Sequence, residues 1–279
     1  MPIHDQGYRR YGGDKVANGR AWLVIAGAGL RTFLARRVFL GLLLLSWTPF
    51  FARALQIYAS ANLPQASFLA LTPETFLEFL EQQGIFVFFI TVYVGSGLIA
   101  NDRRANALQI YLSKPLTRTE YVLGKLAVLM TFLLLVTWIP GLLLLLVQVL
   151  FAGSFRFLID NLYLFPAITL VAFIGTSVAA ASMLALSSLS NSSRYVGILY
   201  ASLIFFSQAL FGVLRFVTGG SNIAWISIQA NLSQMARAIF RQPLQYDTPW
   251  PVSLLMLFLL IVLAGVVLEK RVRAVEVVA

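Results

Sequence analysis

Cysteine is absent from this chain of 279 residues, and its single histidine, His4, lies in a polar N-terminal tail. Disulfides and thiolate metal sites are therefore excluded, and we expect no histidine-based catalytic or metal site. Charged residues make up only 11% of the chain, against about 25% in soluble globular proteins. Because hydrophobic residues reach 59%, we do not expect a soluble fold.

Acidic residues inside the apolar runs and a phosphate-binding loop are missing as well. All 11 acidic residues fall in predicted loops, tails or span ends, which argues against a proton-driven transporter but leaves open a sodium site built from carbonyls. The one Gly-Lys pair, Gly124-Lys125, is followed by Leu126, where a nucleotide-binding loop needs serine or threonine. We therefore expect that the chain is not an enzyme by itself.

What the sequence does have is a set of apolar runs long enough to cross a bilayer. Six spans are predicted, at about 38–59, 84–100, 117–150, 162–189, 195–217 and 251–268. No internal repeat is visible. The predicted fold class is all-α: a polytopic membrane protein with six transmembrane helices in a single domain covering residues 1–279.

The N-terminal 37 residues are predicted to hold a cytoplasmic tail and an interfacial helix. Residues 1–18 are polar and basic, and from Gly19 to Arg37 the apolar residues Trp22, Ile25 and Phe33 recur at helical spacing among arginines. This pattern is typical of an amphipathic helix in the membrane interface. The alternative is that the helix simply extends the first span.

One charge, Arg53, lies in the first predicted span, near its outer end. We expect this side chain to snorkel toward the headgroups rather than to bind substrate. On that interpretation, replacing Arg53 by leucine removes an insertion cost and leaves folding intact.

Two outer loops and one helix face are also predicted. The loop at 60–83 carries three glutamates and no basic residue, and the extracytoplasmic loop at 218–249 has apolar residues at helical spacing, which indicates an interfacial or re-entrant helix pair. Small residues between Gly175 and Ser182 predict a packing face on the fourth span, because they let helices approach closely.

The distribution of basic residues predicts the topology. Of 21 lysines and arginines, 16 lie in the two termini and in the segments that share their side, and 5 lie on or near the other face. By the positive-inside rule both termini are cytoplasmic. The basic balance then reflects membrane orientation, so membrane lipids are expected as partners and nucleic acid is not.

A short polar segment at 101–116 separates the second and third predicted spans. Leu108, Tyr111 and Leu112 form an apolar i, i+3, i+4 stripe on its helix, which is typical of docking into a partner's groove. The alternative is a membrane-surface helix whose stripe enters lipid. Pro115 ends this helix, and Thr117 and Glu120 predict a capping box at the start of the third span.

From Gly97 to Lys125 the sequence resembles the signature of type-2 ABC transporter permeases, the membrane subunits of ABC exporters. The family's pattern is matched at Gly97, Asp102, Leu108, Leu112, Lys114, Pro115, Arg118, Leu123, Gly124 and Lys125. It departs at Ala107, where threonine is common. The interfacial helix, the six spans and the long loop before the last span fit the same family.

The resemblance implies that the short helix at 101–116 is a coupling helix, which docks on a separate ATPase subunit. The implied coupling residues are Asp102, Arg103, Arg104, Leu108, Tyr111 and Leu112. It further implies a second permease subunit, identical or related, and places ATP and magnesium in the ATPase, with no cofactor in this chain.

The expected function is that of the transmembrane subunit of an ATP-driven exporter in the bacterial cytoplasmic membrane. The charge-poor spans favour a lipidic or amphipathic substrate. The alternative is a membrane component of an ATPase-driven mechanical or assembly complex that does not itself transport.

Overall fold

The structure, a computed structural model, describes residues 21–63, 72–107, 117–151 and 156–272. Helices and turns make up these ranges, and no strand occurs in them. Six of the helical stretches are long and apolar enough to cross a bilayer. The protein is therefore an all-α polytopic membrane protein, as the sequence predicts.

The six spans are continuous or nearly continuous helical stretches. In chain order they are Arg37–Asn62, Pro73–Arg104, Arg118–Phe151, Leu164–Leu189, Ser193–Thr218 and Trp250–Arg271. We call them the first to the sixth span. An N-terminal helix, Ala21–Leu34, precedes them, and a short helix, Arg156–Asp160, lies between the third and fourth.

Proline interrupts two of the spans. The first span breaks at Trp47, just before Pro49, whose ring cannot fit against the carbonyl four residues back. The hydroxyl of Thr48 donates to that carbonyl, on Leu45, over 2.8 Å and satisfies it. The third span likewise breaks at Thr137, three residues before Pro140.

The second span begins much earlier than the sequence predicts. Its helix starts at Pro73, so the prediction of a loop through residue 83 and a span from Gly84 is wrong. Thr72 begins this helix through a capping box with Thr75. The first turns of this helix, at 73–83, lie before the apolar stretch and have many polar residues. Their hydropathy is therefore like that of a loop.

A π-turn lies inside the second span. After the α-helix Pro73–Ile90, residues Thr91–Gly95 form a π-helical turn, and the short helix Ala100–Arg104 follows a bend. Such turns often occur at functional sites because they rotate the side chains that follow. Here the turn directly precedes the polar segment at 101–116.

The N-terminal helix packs closely against the third span. A Cβ at Gly124 would stand 2.8 Å from Ile25 side-chain atoms and 3.0 Å from the Trp22 carbonyl oxygen, and a Cβ at Gly29 would stand 2.5 Å from Val128. Glycine on both helices thus allows the contact. The predicted helix is present, and it is a separate element that ends at Leu34 rather than an extension of the first span.

A buried aromatic group joins these elements near the π-turn. Phe39 of the first span stacks on Tyr93 with ring centroids 5.6 Å apart and meets Phe132 edge-on at 4.7 Å. Phe33 of the N-terminal helix contacts all three rings. Edge-on and stacked rings at these distances are favourable, so the N-terminal helix and three spans share one core.

The loop before the sixth span contains one α-helix and one short turn. The helix, Ile228–Ile239, which we call the loop helix, follows a 3₁₀ turn at Ala224–Ile226. Met235, Ala236 and Phe240 are buried, as the apolar spacing predicts, but this loop has one α-helix and not the predicted helix pair. The buried amide of Gln234 accepts from the amides of Gln245 and Tyr246 and so fixes the chain that returns to the membrane.

Candidate coupling site and membrane cavity

The structure describes half of the predicted coupling residues. Asp102, Arg103 and Arg104 lie on the short helix Ala100–Arg104, where the second span ends. Leu108, Tyr111 and Leu112 lie outside the described residues, together with the rest of 108–116. The apolar stripe of the coupling helix therefore stays a prediction.

Asp102 forms an ion pair with Lys125 across the polar segment. The Lys125 ammonium nitrogen lies 2.7 Å from Asp102 Oδ2, and the Tyr121 hydroxyl donates to the same oxygen over 2.8 Å. Both charged side chains are mostly buried, with 18% of the Asp102 side chain and 15% of that of Lys125 exposed. The pair joins the end of the second span to the start of the third. We call this junction the coupling base, because the polar segment at 101–116 lies between the two spans in the chain.

The third span begins at the predicted capping box, which is confirmed. The Glu120 amide donates to Thr117 Oγ1 over 3.2 Å, and the Thr117 amide donates to Glu120 Oε2 over 3.0 Å. This box fixes the direction in which the chain enters the third span.

A single serine of the fourth span holds the bend after the π-turn. Ser187 Oγ accepts from the amides of Ile99 and Ala100, over 3.1 and 3.0 Å, and donates to the Ser96 carbonyl over 2.9 Å. Its side chain is completely buried. Sequence reasoning missed this role, since serine in an apolar helix ordinarily bonds only to its own backbone.

Arg103 bonds inward while Arg104 remains exposed. The Arg103 guanidinium donates to the carbonyl of Ser188, next to Ser187, and its side chain is half-buried. Arg104 points to the surface, and the short helix ends where Asn106 adopts a left-handed backbone with φ of 52°. Asparagine tolerates this conformation better than most residues, so it can end the helix here.

Arg53 has partners within the protein, so the expectation that its charge snorkels without forming a pair is wrong. Its guanidinium lies 3.1 Å from Glu78 Oε2 and also donates to Gln56 over 3.0 Å. Arg53 finds this partner because the second span extends beyond its apolar stretch as a helix that carries Glu74, Glu78 and Glu81 on one face, at i, i+4 and i+7. The spacing of these glutamates was the sequence signal for this contact.

The same glutamate face contacts the loop helix. Glu74 Oε1 lies 3.9 Å from the Arg237 guanidinium, and Glu81 accepts from the Ser233 hydroxyl over 2.8 Å. The N-terminal end of the second span is thereby bonded to both the first span and the loop helix.

The outer loop is held by a carboxylate of its own. Asp247 Oδ2 accepts from the hydroxyl and the amide of Ser221, over 2.5 and 3.2 Å. These bonds from Ser221 lower the pKa of the exposed Asp247 carboxyl below its usual value, and the nearby charge of Arg215 acts in the same direction.

A cavity of about 440 Å³ lies between the second, fourth and fifth spans and the loop helix. Its walls are mainly apolar, and its outer end is lined by Glu81 and Arg237. This volume is within the range of ligand pockets, about 300–1,000 Å³. The cavity is not predictable from the sequence, because its walls come from segments far apart in the chain.

Part of the small-residue run of the fourth span lines this cavity. Gly175, Ala179 and Ser182 face it, whereas Ala180 is fully buried in the core. Ser182 Oγ is buried, yet it has no hydrogen-bond partner among the described residues. A buried polar group left in this way typically costs about 1–3 kcal/mol.

In the described part of the chain, no group of three histidine, cysteine, aspartate or glutamate residues lies close enough together to hold a metal ion. No protein-family model matches the sequence, and no curated protein matches it either. The membrane architecture is therefore the level at which the structure classifies this protein.

Proposed function

We propose that this protein is the membrane subunit of an ATP-driven type-2 ABC exporter and that a separate subunit hydrolyses ATP. The observation that carries the proposal is the Asp102–Lys125 ion pair. Both residues belong to the sequence signature, and their contact gives that signature a physical role. The ion pair joins the two spans that flank the segment that would dock on the ATPase.

In the proposed coupling, movement of the docked segment is transmitted through the coupling base to the spans. A force on the docked segment would act on the second and third spans together, because Asp102 and Lys125 link them. Ser187 and the Ser188 carbonyl would carry the same force to the fourth span. The second and fourth spans form much of the cavity wall, so a displacement at the base would change the cavity's shape.

Gly124 supports the same proposal. It also belongs to the signature, and it lets the N-terminal helix approach the third span one residue before Lys125. The N-terminal helix would therefore move with the coupling base. In this proposal it forms part of the surface that meets the ATPase.

The proposed topology places both termini in the cytoplasm of a bacterial cell, with the coupling segment on that side of the inner membrane. The excess of basic residues on this side supports it. Because the chain has no cysteine, single cysteines at Gln65 and Gln109 can be labelled without background. We expect labelling from opposite sides of sealed vesicles, and labelling of both from one side would overturn the topology.

The proposed partners are two ATPase subunits and a second permease subunit, identical or related. ATP and magnesium would bind to the ATPase, and this chain would contribute no cofactor ligand. Isolation of the complex from its native membrane by gentle extraction tests this composition. The expected co-purified subunit carries a G-x-x-x-x-G-K-[ST] loop and hydrolyses ATP.

The apolar stripe of the coupling helix offers the direct test. Changing Tyr111 and Leu112 together to serine should weaken ATPase binding or uncouple its turnover from transport, because truncating a buried anchor typically costs about 2 kcal/mol or more. The matched control is Tyr111→Phe with Leu112→Ile, which keeps both side chains apolar. ATPase pull-down at equal membrane levels, followed by ATPase and vesicle transport rates, is the measurement.

Unchanged binding and transport in the serine double variant would overturn the coupling assignment. Transport itself has a separate readout, since a mechanical complex would retain ATPase binding and turnover without moving substrate into vesicles. Loss of binding in the control variant as well would mean that shape, and not apolarity, governs docking.

A further inference from the structure

The cavity between the second and fourth spans is kept open by two glycines on its wall. A Cβ built at Gly84 or at Gly175 meets no atom within 4 Å, so both positions border open space. Elsewhere, at Gly124 and Gly95, an added Cβ would collide with a neighbour. The first two glycines therefore leave room in the cavity, whereas the others serve helix packing.

The inner part of the cavity suits a hydrocarbon chain. Its walls include Leu80, Val87, Phe88 and Val171, and none of the residues lining this inner part carries a charge. A charged group would lose its hydration there without gaining a partner.

The outer end carries one charge of each sign. Of the residues that line the cavity, Glu81 and Arg237 are the two charged ones. The Arg237 side chain is 21% exposed, and the contact of its guanidinium with Glu74 is long, at 3.9 Å. A guanidinium held only by so long a contact can bind a phosphate oxygen, and an exposed carboxylate such as that of Glu81 can bind an ammonium.

We propose that this cavity binds a zwitterionic phospholipid, with its phosphate at Arg237, its ammonium at Glu81 and one hydrocarbon chain between the second and fourth spans. Binding requires only this chain. That the bound lipid is the exported substrate rests on the function proposed above.

The first test fills the cavity from its wall. The purified chain, without any ATPase, is irradiated with lysophosphatidylethanolamine that carries a photoreactive group on its hydrocarbon chain. Gly175→Leu and Gly84→Leu should each lower specific labelling by about tenfold, a change that corresponds to about 1.4 kcal/mol of binding. Mass spectrometry should locate the label in the parent on the second and fourth spans.

Gly265→Leu is the matched control. An added Cβ at Gly265 also meets no atom within 4 Å, but this residue lies on the sixth span and does not line the cavity. It should label like the parent. If a leucine variant has a lower thermal midpoint of unfolding than the control, Gly175→Ala replaces it, because alanine fills less of the cavity. Parent-level labelling in well-folded Gly175→Leu would overturn the proposal.

The second test addresses the headgroup. Unlabelled lysophosphatidylethanolamine should compete better than lysophosphatidylglycerol, which lacks the ammonium, or than a fatty acid, which lacks both groups. Arg237→Gln should remove the preference for the two phospholipids over the fatty acid, and Glu81→Gln should remove the preference for lysophosphatidylethanolamine over lysophosphatidylglycerol. Glu74→Gln, which breaks only the ion pair of Arg237, should keep both preferences. Equal competition by all three lipids would overturn the headgroup assignment.

The two proposals fail separately. Lipid labelling is measured on the chain alone, and ATPase docking is measured through Tyr111 and Leu112. Docking without labelling would remove the cavity proposal and leave the exporter proposal standing. Labelling without docking would do the reverse.

Discussion

Lys125 lies 2.7 Å from Asp102, although 22 residues lie between them in the chain. The ion pair and the Tyr121 hydroxyl fix one register at the base of the segment.

Breaking this pair should destabilise the protein. Asp102→Asn leaves the mostly buried Lys125 ammonium without its counter-charge, and we expect a loss of about 1.5–3 kcal/mol, the range for hydrogen bonds to charged groups. The exchange of Asp102 to lysine with Lys125 to aspartate should recover part of it. Thermal unfolding of the purified protein measures both. An exchange variant no better than the worse single variant would mean that the pair contributes nothing beyond the local environment of each residue.

Ser187→Ala should destabilise the bend after the π-turn. The change removes the acceptor of two buried amides, Ile99 and Ala100, at a cost of about 1–3 kcal/mol. Ser188→Ala is the control, because its equally buried hydroxyl bonds only to the Ala185 carbonyl three residues back. Equal thermal midpoints for the two variants would show that Ser187 does not hold the bend.

Gly124→Ala should push the N-terminal helix away from the third span. The new Cβ would stand 2.8 Å from Ile25 and 3.0 Å from the Trp22 backbone, and overpacking of this kind costs about 1–3 kcal/mol. Gly265→Ala, with open space around it, is the control. Thermal unfolding and proteolysis after Arg31 report on the helix. Protection of Arg31 as strong as in the parent would contradict the close packing.

Arg53→Leu should cost stability, contrary to the interpretation that its charge snorkels alone. The expected loss is small, about 0.2–1 kcal/mol, because 48% of the Glu78 side chain is exposed. A double-mutant cycle with Glu78→Gln isolates the pair from the insertion cost of arginine. A coupling energy of zero would restore the snorkelling interpretation.

Acid should weaken the outer loop through Asp247. The folded state lowers the pKa of this carboxyl below its unfolded value of about 3.9, so the ionised carboxylate stabilises the fold at neutral pH. That contribution is lost as the pH falls through the folded pKa. Asp247→Asn should reduce the difference in thermal midpoint between neutral and acidic buffer, and an unchanged difference would show that other groups cause it.

Much of the fold follows from hydropathy alone, and the exceptions have a common cause. Five spans begin and end within a few residues of the predicted bounds, because a bilayer requires about 20 apolar residues per helix. The second span was predicted 11 residues too short at its start, since Pro73–Gln83 is helical but polar. Hydropathy averaged along the chain does not distinguish a polar helix from a polar loop. The helical spacing of Glu74, Glu78 and Glu81 does distinguish them.

By itself the sequence determined the all-α class, the six spans, the N-terminal helix and the capping box at Thr117, because each depends on residues close together in the chain. It also singled out Asp102, Gly124 and Lys125 by resemblance, without their physical roles. Only the tertiary structure decided that Asp102 pairs with Lys125, that Arg53 pairs with Glu78, and that Gly84 and Gly175 border one cavity. These contacts join separate helices, and helix packing depends on shapes and rotations that the order of residues along one helix does not specify.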